Sequence, residues 1–340
     1  MLYPSSYIAN SPMRRLRPNT PSQRAGSPAR IAPTSNRGSR QLAVAAAIAL
    51  SLVAAAGAAY ASELPSQVSS NWAGYSAITG ASTGAFAKRF TSVSGTWVQP
   101  AATCVPGRPT FSAFWVGLGG YKQNTNALEQ DGSEADCSPS GQVSYYAWYE
   151  YVPAGPYTIG AVAVHPGDEI TATVSVKGRR ATVLLTDVTT GATFRHTKLM
   201  RSPRPDVSAA DWIAEAPSNC TQSGCTPLTL TNFGSVSFSN ATATAVGIDG
   251  FHTGVIDDPA WIYGAINLQS SSGPFRLGLG HDQPSLASTG ILATTGNAFT
   301  VTYGPASQPT GATGVSGSTG ASGTSGASGA SGDTGVSGPT

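Results

Sequence analysis

From Glu169 to Val176 the chain alternates. Thr171, Thr173 and Ser175 are polar, and Ile170, Ala172, Val174 and Val176 around them are apolar. A period of two puts the apolar set on one face of an extended strand and the polar set on the other. Lys177-Gly178-Arg179-Arg180 makes a turn, Ala181–Leu185 returns, Thr189-Thr190-Gly191 turns again, and Ala192–His196 follows. This is the pattern of an antiparallel meander. Short runs of the same texture recur at Val143–Tyr151, Gly234–Phe238 and Phe299–Tyr303, with Gly, Pro, Asn and Ser between them. Outside an apolar run near the N-terminus, no long window keeps the 3.6-residue period of an amphipathic helix. Residues 62–305 are therefore expected to form one all-β domain, an antiparallel sandwich large enough to bury its own core.

The two ends read differently. Residues 1–40 hold seven Arg and no Lys, Asp or Glu, and Leu42–Ala56 is a continuous small apolar run that leads to Ala59-Tyr60-Ala61. A basic stretch, an apolar stretch and a small-residue site in that order predict a secretory signal peptide over residues 1–61. An uncleaved membrane anchor is the alternative; with cleavage after Ala61, no stable membrane association is expected. From Gly311 the chain runs as ten Gly-x-y triplets to Thr340. The period is that of collagen, but Pro339 is the one Pro in an x or y position, so residues 306–340 are expected to be a flexible spacer. A monomer is the expected state, with trimerisation through the tail as the alternative.

Removing the leader changes the charge. All 17 acidic residues follow position 61, as do 12 of the 19 basic ones, so the exported part carries 12 − 17 = −5. That balance leaves no basic face for nucleic acid. Only 11% of the chain is charged, so acidification builds up little repulsion. The four cysteines, Cys104, Cys137, Cys220 and Cys225, lie in the exported part. An even number in a secreted chain points to disulfides. Of three pairings, Cys220–Cys225 with Cys104–Cys137 is favoured: the first clips a tight loop and the second ties down loops on either side of the Gln130 strand. Four thiolates on zinc would need paired CxxC spacing, which is lacking.

Two segments carry chemistry, Ala127-Leu128-Glu129-Gln130-Asp131-Gly132 and Ala210-Asp211-Trp212-Ile213-Ala214-Glu215. A carboxylate can take a proton from water, and a carboxamide N–H can stabilise the oxygen on which negative charge develops, so such a pair can hydrolyse a peptide without metal, Cys or Ser. Around them stand Ser70-Asn71-Trp72-Ala73-Gly74-Tyr75, Val93-Ser94-Gly95-Thr96-Trp97-Val98-Gln99-Pro100, Phe114-Trp115-Val116-Gly117-Leu118-Gly119-Gly120, Ala147-Trp148-Tyr149-Glu150-Tyr151-Val152-Pro153 and Val164-His165-Pro166-Gly167-Asp168. In this order the blocks resemble the glutamic peptidases, the eqolisin family of acid endopeptidases, over about Ser69 to Thr302.

The resemblance implies two packed antiparallel sheets in a concanavalin-like (lectin-like) sandwich, with a cleft on a concave face. It implies that Gln130 and Glu215 are the catalytic pair, with Glu215 as general base toward water and then general acid toward the leaving amine. It implies that Trp115, Trp148 and Glu150 line the cleft and bind or orient substrate, that no cofactor or metal is needed, and that the substrates are polypeptides met outside the cell. Asn71–Gly74 is taken as structural. Tyr146 stands where some fungal members carry an acidic residue, which puts one supporting carboxylate in doubt.

Other chemistries are weaker. Gly80-Ala81-Ser82-Thr83-Gly84 fits GxSxG but lacks the strand before it and the helix after it. His165, His196, His252 and His281 show no metal-ligand spacing. Asp257-Asp258 before Pro259 reads as a solvated turn. The alternative functions are a sandwich module that binds peptide or carbohydrate without catalysis, a glycoside hydrolase using Glu150 and Glu215, and a structural surface protein carried on the tail.

Overall fold

A computed structural model describes residues 62–79, 89–122, 127–221, 224–270 and 285–304. The leader, the GxSxG segment, His281 and the Gly-x-y tail lie outside these residues. Every described element is a strand. In chain order they are β1 (Ser62–Glu63), β2 (Gln67–Ser69), β3 (Trp72–Ile78), β4 (Arg89–Val98), β5 (Thr110–Gly119), β6 (Leu128–Cys137), β7 (Val143–Tyr151), β8 (Tyr157–Ile159), β9 (Glu169–Lys177) and β10 (Arg180–Asp187). Then come β11 (Thr193–Leu199), β12 (Ala209–Glu215), β13 (Ser218–Thr221), β14 (Gly224–Pro227), β15 (Ser235–Gly247), β16 (Gly250–Val255), β17 (Ile262–Gln269), β18 (Ser285–Thr289) and β19 (Phe299–Tyr303).

The strands form two packed layers, as the alternation requires. One layer runs β8-β7-β6-β5-β12-β3-β17 through antiparallel neighbours, with β1 and β2 parallel to β17. The other runs β11-β10-β9-β4-β15, with β16 and β19 also on β15. β18 pairs with both β17 and β19, so the layers are one continuous hydrogen-bonded ribbon and not two separate sheets.

The inward faces meet in an apolar core that includes Trp97, Phe114, Val174, Trp212 and Phe238. Aromatic polar tips bond across it. Trp97 Nε1 donates to Ser133 Oγ at 2.9 Å, Trp212 Nε1 to the Ser94 carbonyl at 2.8 Å, and the Tyr151 hydroxyl to the His196 carbonyl at 3.0 Å. These bonds satisfy groups that would be costly to bury alone. The outward face of the second layer is joined by hydroxyl pairs: Ser94–Thr173, Thr96–Thr171, Thr182–Thr197, Thr186–Thr193 and Thr244–Thr253. Disulfides join Cys104 to Cys137 and Cys220 to Cys225, leaving no free thiol among the described residues for a zinc site. The first ties the loop before β5 to the end of β6; the second crosses the β13–β14 hairpin.

Candidate active site

The site lies on the face of the first layer that points away from the shared core. Strand register lays it out in rows. Trp72, Glu215, Ala113, Glu134 and Tyr146 stand side by side across β3, β12, β5, β6 and β7. The next same-face row is Gly74, Ile213, Trp115, Gly132 and Trp148, and the one after it is Ser76, Asp211, Gly117, Gln130 and Glu150. Gln130 and Glu215 thus share a face but not a row. Against β5, which separates them, Glu215 pairs with Ala113 and Gln130 with Gly117, a diagonal of 117 − 113 = 4 residues.

Trp115 and Trp148 occupy the middle row between the two. Trp115 Nε1 donates to Glu215 Oε2 at 2.7 Å, and Asn71 Nδ2 donates to Glu215 Oε1 at 2.9 Å. Each carboxylate oxygen is therefore held by a fixed N–H. Asn71 is held in turn by the Ser69 hydroxyl, which donates to Asn71 Oδ1 at 3.1 Å. Within its own row, Gln130 Nε2 donates to Glu150 Oε2 at 2.7 Å. This contact orients the amide and leaves its second N–H for another acceptor.

Two glycines make the floor possible. A Cβ on Gly132 would run into the Phe114 carbonyl and lie 2.7 Å from Trp115 Cβ. A Cβ on Gly117 would lie 2.9 Å from the Trp115 ring and 3.2 Å from Gln130 Cβ. Both therefore leave the space that Trp115 occupies beside the pair. We expect Gly132→Ala to destabilise the chain by about 1–3 kcal/mol through overpacking. A urea unfolding midpoint equal to that of the parent would show that the floor has slack.

Two features differ from expectation. The expected cleft residues are not open to solvent: Gln130, Glu150 and Trp115 are 0% exposed, Glu215 1% and Trp148 2%. Moreover, Trp115 and Glu150 each grip one member of the pair instead of pointing outward. Asn71, read as structural, reaches Glu215 directly. Glu134 was also missed. It stands in the Glu215 row, and burial, with Asp136 next to it, holds its carboxyl well above the ordinary value. The Tyr146 hydroxyl donates to Asp136 Oδ2 at 2.9 Å, and burial pushes Asp136 up to about 6. Where an acid was doubted at position 146, the structure supplies two from β6. Asp211, on the Gln130 row, is likewise raised by burial, partly offset by the Ser76 hydroxyl it accepts from. Nothing in the sequence marked Glu134, and the block that holds Asn71 was marked only as structural, because long-range register alone brings each to Glu215. At the other end of the chain, Asp258 accepts from the Ala260 N–H and contacts His252 Nε2 at 2.9 Å, which closes the turn before Pro259.

A carboxylate held by two N–H donors thus lies diagonal to an oriented carboxamide on one face of a β-sandwich. Residues 70–267 match the model of the Peptidase A4 family, which is more than half of the chain. The chain belongs to that family. It is 33% identical over 139 residues to aspergillopepsin-2 of Aspergillus niger, a match over 40% of this chain and 47% of that protein. It thus spans about half the length of this curated relative. Among solved structures, it aligns with scytalido-glutamic peptidase bound to a transition-state analogue inhibitor at 20% identity and a TM-score of 0.49, covering 69% of this chain and 98% of the other. It aligns with aspergilloglutamic peptidase from Aspergillus niger at 28% identity and a TM-score of 0.44, covering 57% and 99%.

Proposed function

We propose that the chain is a secreted endopeptidase, active at acid pH, in which Glu215 and Gln130 carry the reaction without a cofactor. The observation that supports this reading most directly is the pair of N–H donors on Glu215, Asn71 Nδ2 and Trp115 Nε1. Hydrogen bonds to both oxygens favour the ionised form over the neutral one, as the role of base requires. In the proposed reaction Glu215 takes a proton from a water molecule as that water attacks the scissile carbonyl carbon. The negative charge that forms on the carbonyl oxygen accepts the free N–H of Gln130. Glu215 then returns the proton to the amine nitrogen as the C–N bond breaks. Glu150 holds the Gln130 amide in the orientation that presents N–H and not C=O. Trp115 and Trp148 fill the row between Glu215 and Gln130 and set the spacing of the pair. Substrates are unfolded or flexible polypeptides outside the cell, and the two disulfides suit that compartment.

The test is digestion of denatured casein by the full chain and by Glu215→Gln over pH 2–8. We expect acid-peaked cleavage by the parent and at least a ~1,000-fold loss in the variant, which keeps the hydrogen-bonding shape but not the base. Retained cleavage in Glu215→Gln, or none by a folded parent at any pH, rejects the proposal.

A further inference from the structure

The second layer has a cavity unrelated to the Glu215 face. It lies where β4 begins, β9 ends and the β15–β16 hairpin turns, and its volume is about 410 Å³. That is within the ~300–1,000 Å³ range of small-molecule sites. Its depth is apolar: Phe90 is fully buried, Val176 nearly so, and Val207 completes the wall. Phe251 forms a lip and is 76% exposed, an unusual position for a large aromatic side chain with no function. The mouth carries Arg89 and Lys177. Neither side chain has an ion-pair or hydrogen-bond partner among the described residues, and no described lining residue is acidic. Arg179 follows in the turn after Lys177, and Arg180, paired with Lys177, opens β10. Four of the exported part's 12 basic residues therefore gather at one end of a chain that is acidic overall.

An apolar chamber behind two unpaired cations is complementary to one kind of ligand. We propose that this cavity binds an apolar chain that ends in a carboxylate, with the chain against Phe90, Val176 and Val207 and the carboxylate at Arg89 and Lys177. Two sources share that chemistry, a free fatty acid and the free C-terminus of a peptide with an apolar last residue. Arg presents two parallel N–H donors to a carboxylate and Lys adds a point charge, so the head group is recognised through charge and geometry together. The backbone ties the chamber to the layer that carries the pair, because the Phe90 N–H donates to the Val207 carbonyl just before β12 starts.

The experiment is calorimetric titration of the full chain at about pH 5.5, where decanoate and acetyl-Leu-Phe are mostly ionised. Decanamide and acetyl-Leu-Phe amide are the neutral controls. Trp261, whose ring centroid is 5.4 Å from that of Phe90, gives an independent fluorescence signal. We expect one saturable site that prefers a carboxylate to its amide by about tenfold, the scale of two partly exposed charge pairs. Arg89→Gln/Lys177→Gln should abolish that preference, and Phe251→Ala should weaken acid and amide alike. All three side chains are at the surface, so the variants should retain the parent circular dichroism. Tighter binding of decanoate assigns the fatty acid; tighter binding of the peptide assigns the C-terminus. No binding at millimolar ligand, equal affinity for acid and amide, or a preference that survives in the double variant overturns the proposal. None of these readouts depends on peptidase activity, so this inference and the proposed function can fail separately.

Discussion

Stability should fall steeply as pH rises from about 4 toward neutrality. Four carboxyls are responsible: Glu129, Asp131, Glu134 and Asp211, all at most 1% exposed. Burial raises each of them well above its ordinary value; Asp206 adds to the rise at Glu129, and Asp136 at Glu134. In the unfolded chain such groups titrate near ~4. Between that value and their higher folded values, the native state holds protons that the unfolded state has released. Stability is then complete below the unfolded value and is lost as pH climbs toward the folded one, by about 1.4 kcal/mol per pH unit for each group. Each of the four groups that stays protonated in the folded state adds its own share to the slope, and a domain is held together by only ~5–15 kcal/mol in all. Urea midpoints at pH 3.5, 5 and 7 measure this. A flat or rising series would show that these carboxyls are not held neutral. Asp131 is the informative variant because it faces inward between the layers, away from the proposed site. Asp131→Asn should reduce the slope by about one group's share.

Gln130→Ala should lower kcat for casein cleavage by about 10²–10³-fold, the usual cost of removing one donor to a developing oxyanion. Its fold should survive, since Ala keeps the backbone pairing of β6 with β5 and β7. Glu150→Gln should be milder, about tenfold, because Glu150 acts through the Gln130 amide it accepts from at 2.7 Å. The ranking is diagnostic. A glycoside hydrolase using Glu150 and Glu215 would show the reverse, with Glu150→Gln inactive and Gln130→Ala nearly normal. An inert binding module would show neither, as the parent itself would not cleave.

The meander was legible because each of its strands alternates cleanly. Glu169–Val176, Ala181–Leu185 and Ala192–His196 fall within or against β9, β10 and β11. β15 was seen only in its first residues. Gly234–Phe238 has large apolar side chains, whereas Ala241, Ala243 and Ala245 carry the buried face with single methyl groups beyond a register shift at Ser239–Thr242. Small residues give little periodic contrast, so most of the longest strand was hidden. β6 is harder still. Glu129, Asp131, Glu134 and Asp136 make it look like a solvated segment, yet it is almost wholly buried. Composition argued against a core strand there, and only the resemblance located Gln130. Asn71 and Glu215 are 144 residues apart in sequence, and no local pattern encodes their contact.

The hydroxyl pairs on the outer face of the second layer have a consequence for the medium in which the chain can work. In Ser94–Thr173, Thr96–Thr171, Thr182–Thr197, Thr186–Thr193 and Thr244–Thr253 either oxygen can donate, so each bond can reverse its direction without moving a heavy atom. None depends on a net charge. At 1 M salt the range of electrostatic interaction shrinks to about 3 Å and weakens surface ion pairs, but it leaves these bonds unchanged. Such a face stays zipped in brine as well as in dilute buffer.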